Sequence, residues 1–221
     1  MKVLIVSVHP DDETLGCGGT ILKHLKNGDE LYWMIITEAD ESIGFSKEFI
    51  DIRKLQIRRV SREYGFKKVY ELNFLATRLQ SVDLNDFISS VSRVVNEVGP
   101  EIIYMNNRSD IHTDHRITAH VLMSCTKSFR YSFIKKILMY ECISETEMSP
   151  PLPENIFIPN VYSDITDFID KKLEIMSIYE SEVQMPPLPR SLDNIKALAR
   201  YRGSSCSVNY AEAFMLVREI F

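Results

Sequence analysis

Short apolar runs alternate with amphipathic helical patterns along most of this chain. Runs rich in β-branched and aromatic residues, each short enough for a buried strand, occupy 3–8, 31–36, 69–74, 102–105 and 137–140. Between them, apolar residues recur at helical spacing over 12–28, 50–64, 84–98 and 115–129. Regular alternation of strand and helix predicts a mostly parallel sheet with helices on both faces.

The last third of the chain is less regular. Residues 145–159 are rich in proline and lack a clear period, and 185–190 form a second irregular segment. Around them the pattern predicts a strand at 161–165, helices near 165–176 and 194–201, and a closing strand at 211–218. Long irregular connections are usually functional or disordered, and we expect the chain from about 145 to elaborate the substrate cleft. Residues 1–221 are predicted to form a single Rossmann-like α/β domain.

Two clusters of histidine and aspartate come directly after predicted strands. His9–Asp12 follows the first strand, and Asp110–His115 follows the fourth. Open α/β sheets bind ligands at the carboxyl ends of their strands, so we expect the clusters to meet there. A catalytic zinc ion takes three such protein ligands and keeps one open position. Taken alone, the first cluster could instead be a solvated helix start whose acids cap backbone N–H groups.

Composition and charge disfavour nucleic-acid-binding, membrane-spanning and secreted proteins. The net charge of −5 disfavours a broad nucleic-acid surface. No stretch reaches membrane-spanning length, and the apolar run before His9 is too short for a secretory leader, so we expect a cytoplasmic protein. The four cysteines lack metal-ligand spacing and are expected to be reduced, with Cys17 packed in the core.

The motif His9-Pro10-Asp11-Asp12-Glu13, together with His112-Thr113-Asp114-His115, resembles the PIG-L/LmbE-like zinc-dependent N-deacetylases. Further stretches that are similar to the family are Leu15–Thr20, Pro159–Tyr162, Lys172-Leu173, Tyr179–Glu182, Pro189–Ser191, Arg202-Gly203 and Ala211–Phe214. The resemblance implies hydrolytic removal of the acetyl group from an N-acetylglucosamine-type sugar. It also implies one Zn²⁺ per chain, a small acetamido-sugar as partner, and a homo-oligomer such as a trimer or hexamer.

The resemblance also assigns roles to individual residues. It implies three metal ligands, namely His9, Asp12 and His115. Asp11 is implied as the base that accepts a proton from water, and protonated His112 as the group that stabilises the oxyanion. Asp114 is expected to orient His112 and to favour its charged form. Either Asp11 or His112 could protonate the departing amine.

The substrate-binding residues that the resemblance implies are Arg53, Arg190, Tyr201 and Arg202. The chain departs from the family at Ala76, where relatives tend to carry aspartate, so that substrate contact is not transferred here. Smaller departures are Ala39 in place of glycine, Gln56 in place of glutamate and Leu188 in place of histidine. Three other functions remain open: an amidase acting on another sugar-linked amide, a phosphoesterase, and a non-catalytic carbohydrate-binding relative.

Overall fold

A computed structural model describes residues 1–221. The strands are β1 (Lys2–Ser7), β2 (Glu30–Glu38), β3 (Lys68–Leu75), β4 (Ile102–Asn106), β5 (Lys136–Tyr140), β6 (Val161–Asp164) and β7 (Ala211–Glu219). The α-helices are α1 (Asp12–Lys26), α2 (Lys47–Glu63), α3 (Leu84–Val98), α4 (Thr113–Ser124), α5 (Ile169–Met176) and α6 (Leu192–Ser204). The predicted alternation of strands and helices is confirmed.

All the strands belong to one seven-stranded sheet in the order β3-β2-β1-β4-β5-β7-β6. The first five in this order are parallel, and β7 runs antiparallel to both β5 and β6. After β1 the chain builds outward through β2 and β3, and it then returns to place β4 on the other side of β1. The crevice between the carboxyl ends of β1 and β4 is therefore the point where ligands bind in sheets of this kind.

The core has two layers, one on each face of the sheet. Side chains alternate along β1, so that Val3 and Ile5 face one layer and Leu4 and Val6 face the other. The first layer packs against α1, α2 and α5, and the second against α3 and α4. Because β1 is covered on both faces, its residues from Val3 onward are buried. A central strand fixed in this way holds the loop that follows it.

Several boundaries differ from the sequence prediction. Helix α1 ends at Lys26, just before the predicted stop at Gly28, but it is broken at Cys17, which has non-helical φ and ψ of −146° and 21°. Ile165 lies between β6 and α5 rather than inside the helix, and it is fully buried. Helix α6 is longer than predicted because Ser191 caps it, accepting a hydrogen bond from the backbone N–H of Asn194.

The four cysteines form no disulfide, and Cys17 is fully buried in the core, as predicted. None of the helices has the length and the apolar composition needed to cross a bilayer. Segment 145–159 contains only one short 3₁₀ turn, at Pro153–Asn155, as its proline-rich, aperiodic sequence predicted.

Candidate metal centre

The turn after β1 folds the side chain of Asp12 back towards the strand. Its Oδ2 accepts hydrogen bonds from the backbone N–H groups of Val8 (2.9 Å) and His9 (2.8 Å). Within this turn Asp11 has φ of 145°, a conformation that residues other than glycine rarely adopt. Strain of this kind costs about 1–3 kcal/mol and collects at functional sites. The tight turn aims His9 and Asp12 at the same point.

The loop after β4 is held in shape by its own polar side chains. Asn106 donates from Nδ2 to the carbonyl of His115 (2.9 Å). His112 caps α4, because its Nδ1 accepts a hydrogen bond from the backbone N–H of Asp114 (3.1 Å). One turn into the helix, His115 is fully buried and faces the turn after β1.

The donor atoms of His9, Asp12 and His115 converge on one point. His9 Nδ1 lies 3.3 Å from His115 Nε2, and Asp12 Oδ2 lies 3.5 Å from His115 Nε2 and 4.0 Å from His9 Nδ1. A tetrahedral zinc ion with bonds of about 2.0–2.1 Å places neighbouring ligand atoms about 3.3–3.4 Å apart. The three side chains therefore fit a single divalent ion.

Each of the two histidines has a carboxylate on its other ring nitrogen. Asp110 Oδ2 lies 2.8 Å from His115 Nδ1, and Asp114 Oδ2 lies 3.4 Å from His9 Nε2. Carboxylate partners of this kind fix the tautomer and orientation of metal-binding histidines. The carboxylate of Asp114 contacts His9, and Asp114 is hydrogen-bonded to His112 only through its backbone N–H, so the expectation that Asp114 orients His112 stays a prediction. The same oxygen also accepts the backbone N–H of Thr77 (2.6 Å).

The acids of the two clusters do not serve mainly as helix caps. Asp11, at the N-cap of α1, makes no capping hydrogen bond with its side chain. At the start of α4 it is His112 that caps, while Asp114 is fully buried and turned towards other segments. The alternative interpretation of the first cluster as a solvated helix start is therefore not supported.

The charges of Asp12 and His115 stabilise each other in the buried site. Burial opposes the charged form of His115, but the carboxylates of Asp12 and Asp110 outweigh burial and raise its pKa to about 9. Burial likewise opposes the carboxylate of Asp12, yet His115 and His9 keep its pKa below the ordinary value. The site therefore attracts positive charge, whether from a proton or from a metal ion.

Asp11 is a buried carboxylate without a hydrogen-bonded partner for its side chain. Burial raises its pKa well above the ordinary value, and the charges of Asp12 and Glu182 add to this effect. The nearest cation is Arg190, whose Nη1 lies 3.5 Å from Asp11 Oδ2. The side chain of Glu13 accepts the backbone N–H of Asp11 at 3.2 Å. Asp11 is thus free to accept a proton, and its raised pKa suits a general base.

His112 lies beside His9, with ring centroids 4.6 Å apart. Burial lowers its pKa to about 4, and the neighbouring His9 and His115 contribute in the same direction. Its Nδ1 accepts a backbone hydrogen bond, so the proton of the neutral ring is on Nε2. This geometry contradicts the expectation of a protonated His112 and supports a neutral donor.

A cavity of about 320 Å³ opens above these residues. Arg53 and Arg190 both line it, and both contact Glu182: Arg53 through Nη2, and Arg190 through Nη1 at 3.1 Å. Arg53 also donates to the carbonyl of Pro10 (2.6 Å), which ties helix α2 to the strained turn. The Nε atoms of both arginines have no partner within the protein. Two of the four predicted substrate-binding residues thus reach the cavity.

The other two predicted substrate residues do not line this cavity. Tyr201 is 64% exposed on the surface of α6. Arg202 forms a bidentate pair with Glu141, with distances of 2.7 Å and 2.6 Å, below the end of β5. We correct both assignments, because a side chain held by a carboxylate elsewhere is not available to a ligand in this cavity, and an exposed one on α6 does not reach it.

Several residues of the site escaped the sequence analysis. Asp110 begins the second cluster but was given no role, and Glu182 lies in a stretch already noted for its resemblance. The stacked rings of Phe45 and Phe49, with centroids 5.0 Å apart, line the cavity but come from a segment without a motif. Ala76 and Ala39 also line it, so these departures from the family fall at the site itself.

Comparison with known proteins places the chain among deacetylases. A diacetylchitobiose deacetylase from Thermococcus kodakarensis is 25% identical over 232 residues, which cover 100% of this chain and 84% of that protein. The conserved protein TT1542 from Thermus thermophilus has a similar structure, with a TM-score of 0.78, 23% identity, and coverage of 99% and 96%. GalB, the 4-carboxy-2-hydroxymuconate hydratase from Pseudomonas putida, shares the fold at a TM-score of 0.76 and 18% identity, with coverage of 100% and 97%.

The fold is therefore shared by proteins with different reactions, and it does not select one of them. The family model described as PIG-L, GlcNAc-PI de-N-acetylase, matches residues 4–126. This region contains both histidine and aspartate clusters and accounts for more than half of the chain. The chain belongs to the PIG-L family of de-N-acetylases.

Proposed function

We propose that this protein is a zinc-dependent hydrolase that removes the acetyl group from an N-acetylated amino sugar and releases acetate. The observation that carries the proposal is the convergence of His9, Asp12 and His115 on one point, with the uncommitted carboxylate of Asp11 beside them. Carbohydrate amides are the substrates named for the Thermococcus relative, a diacetylchitobiose deacetylase.

His9, Asp12 and His115 would hold the ion. When bound, zinc supplies Lewis acidity, which lowers the pKa of a bound water towards neutrality and polarises a carbonyl oxygen. Asp110 and Asp114 would orient the rings of His115 and His9, because each accepts the proton of the ring nitrogen opposite the ligating one.

Asp11 accepts a proton from the water while the oxygen of that water attacks the acetyl carbon. The Nε2–H of His112 donates a hydrogen bond to the oxyanion that develops, a type of stabilisation whose removal typically costs about a hundredfold or more in rate. The C–N bond then breaks, the amine takes the proton held by Asp11, because a neutral His112 would become an anion if it supplied one, and acetate leaves. The raised pKa of Asp11 suits both the uptake and the return of this proton.

The cavity supports a sugar-sized substrate. Its volume of about 320 Å³ lies within the ordinary range of small-molecule pockets. The stacked rings of Phe45 and Phe49 provide an apolar surface in the lining, and Arg53 and Arg190 provide hydrogen-bond donors. Residues after 145, among them Glu182, complete the lining, in support of the proposal that this part of the chain shapes the substrate cleft.

Acetate release separates this proposal from its rivals. Metal-free protein is loaded with Zn²⁺ and incubated with N-acetylglucosamine, diacetylchitobiose, a glucosamine bearing a different N-acyl group, and a phosphate monoester. The proposal predicts acetate and a free amine from at least one acetamido-sugar, and loss of turnover in Asp11→Asn with the metal retained. Release of the other acid alone would point to an amidase, and release of phosphate to a phosphoesterase. Binding of the sugars without any product would indicate a carbohydrate-binding protein.

A further inference from the structure

The break in helix α1 leaves backbone groups without helical partners beneath the candidate metal site. The break at Cys17 separates a first segment, Asp12–Gly16, from the rest of the helix. A break of this kind exposes carbonyl oxygens on one side and N–H groups on the other. The groups concerned are the carbonyl of Leu15 and the N–H groups of Gly19 and Thr20.

Two buried charged side chains from the last third of the chain supply the partners. Lys172 Nζ donates to the carbonyl of Leu15 (2.9 Å). Glu212 accepts the N–H groups of Gly19 (2.8 Å) and Thr20 (2.7 Å) and the hydroxyl of Thr20 (2.6 Å). The ammonium thus meets the negative end of the first segment, and the carboxylate meets the positive end of the second.

The pair is almost completely removed from water. Lys172 is 3% and Glu212 is 5% exposed, and their charged atoms lie 2.7 Å apart. The free energy lost when two charges are removed from water usually exceeds the free energy gained from their attraction. A buried ion pair is therefore weak evidence for a role in stability alone. Every further hydrogen bond that these two groups make is to α1, which indicates that their position relates to this helix.

Close packing at two glycines fixes the position of helix α1. A Cβ atom on Gly16 would lie 2.1 Å from the ring of Tyr140, and one on Gly19 would lie 2.7 Å from Ile165. The first segment therefore packs directly against the core, and its direction is set by the break. Leu15 links the break to the site, because its N–H donates to the carbonyl of Asp11 (2.9 Å) while its own carbonyl accepts from Lys172.

We propose that Lys172 and Glu212 are positioning residues of the metal site. They cap the two sides of the break in α1 and so hold the strained turn that carries Asp11 and Asp12. The inference rests on the proposed metal site, and it concerns residues that touch neither the metal ligands nor the cavity above them.

The test compares three variants with the wild-type protein. Lys172→Met/Glu212→Gln removes both charges together, which avoids leaving one of them buried and alone. Thr20→Val removes one hydrogen bond to Glu212 at nearly constant volume. Lys171→Met is the matched control, since Lys171 lies in the same helix but is 38% exposed and pairs at the surface with Glu63. The measurements are the Zn²⁺ dissociation constant by chelator competition, the visible spectrum of the Co²⁺ protein, and thermal unfolding of the metal-free protein.

We expect the double variant to bind Zn²⁺ at least about tenfold more weakly, the lower end of what loss of outer-sphere support costs, and its Co²⁺ bands to shift. Thr20→Val should weaken binding at least about twofold, and Lys171→Met should match the wild type. A folded double variant with the wild-type dissociation constant and Co²⁺ spectrum would overturn the proposal. If the double variant does not fold, wild-type values in Thr20→Val would overturn it. If the wild-type protein binds Zn²⁺ but releases no acetate, the proposed reaction is wrong. The binding constants and Co²⁺ spectra of the variants still decide whether Lys172 and Glu212 position the metal site.

Discussion

The strained backbone of Asp11 predicts that a more stable protein can be made at the expense of activity. Asp11 has φ of 145° and is 4% exposed, so Asp11→Gly removes both the steric conflict and a buried carboxylate. Relief of strain contributes about 1–3 kcal/mol, and the greater flexibility of glycine in the unfolded chain takes back about 0.5–1 kcal/mol. We expect this backbone effect to stabilise the fold by about 1 kcal/mol, or about 2–4 °C in Tm for a chain of this size, in addition to any gain from removing the buried charge.

The matched variant Asp11→Asn separates strain from charge. Asparagine tolerates positive φ better than most residues but keeps the backbone where it is. Because the folded protein raises the pKa of Asp11, its ionised form destabilises the fold, and this penalty grows as the pH rises above the ordinary aspartate value of about 3.9. The Asp11→Asn variant should therefore gain stability over wild type at pH 7 but not near pH 3, whereas the additional gain of the Asp11→Gly variant should not depend on pH.

Urea unfolding of metal-free protein, in the presence of a chelator, measures both effects without the contribution of bound metal. Turnover of the zinc-loaded enzymes should fall about 10²–10⁴-fold in both variants, the range for loss of a general base. The reasoning about strain is refuted if Asp11→Gly is no more stable than Asp11→Asn at either pH. The assignment of Asp11 as base is refuted if either variant retains full turnover.

Three further predictions concern the metal and the cavity. Asp110→Asn should weaken Zn²⁺ binding about 10–100-fold in chelator competition, because it removes the carboxylate partner of His115; unchanged affinity would argue against this role. Since the pKa of His115 is raised to about 9, a metal must displace its proton at neutral pH. The affinity for Zn²⁺ should therefore fall up to about tenfold per pH unit as the pH drops from 9. Calorimetry that detects no proton release on Zn²⁺ binding would contradict this prediction. Arg190→Gln should raise KM for the sugar, and Tyr201→Phe should leave both kinetic constants unchanged; the reverse pattern would restore Tyr201 to the cleft.

The substrate contacts were the least predictable part of the site. Arg190 lies in the irregular segment 185–190 and Arg202 lies in α6, and neither position by itself shows whether the side chain reaches the cavity. Packing brings Arg190 beside Glu182 at the cavity, whereas Arg202 meets Glu141 outside it. Whether each arginine lines the cavity depends on which carboxylate the fold places within hydrogen-bonding distance of it.

The order of apolar and polar residues was sufficient to predict the parallel sheet, because burial on both faces demands continuous apolar strands joined by amphipathic helices. It was also sufficient to place both clusters at strand ends. It could not say which carboxylate serves which histidine. Asp114 is two residues from His112 yet contacts His9, across 105 positions of the chain.

Only the tertiary structure decided such pairings, since they depend on ring orientations fixed by packing and on helix directions fixed by distant residues. The break in α1 shows the same dependence, because its partners Lys172 and Glu212 come from the far end of the chain. Local sequence determined which chemical groups are present at the sheet edge. The geometry that lets them act together arises from contacts that only the folded chain can make.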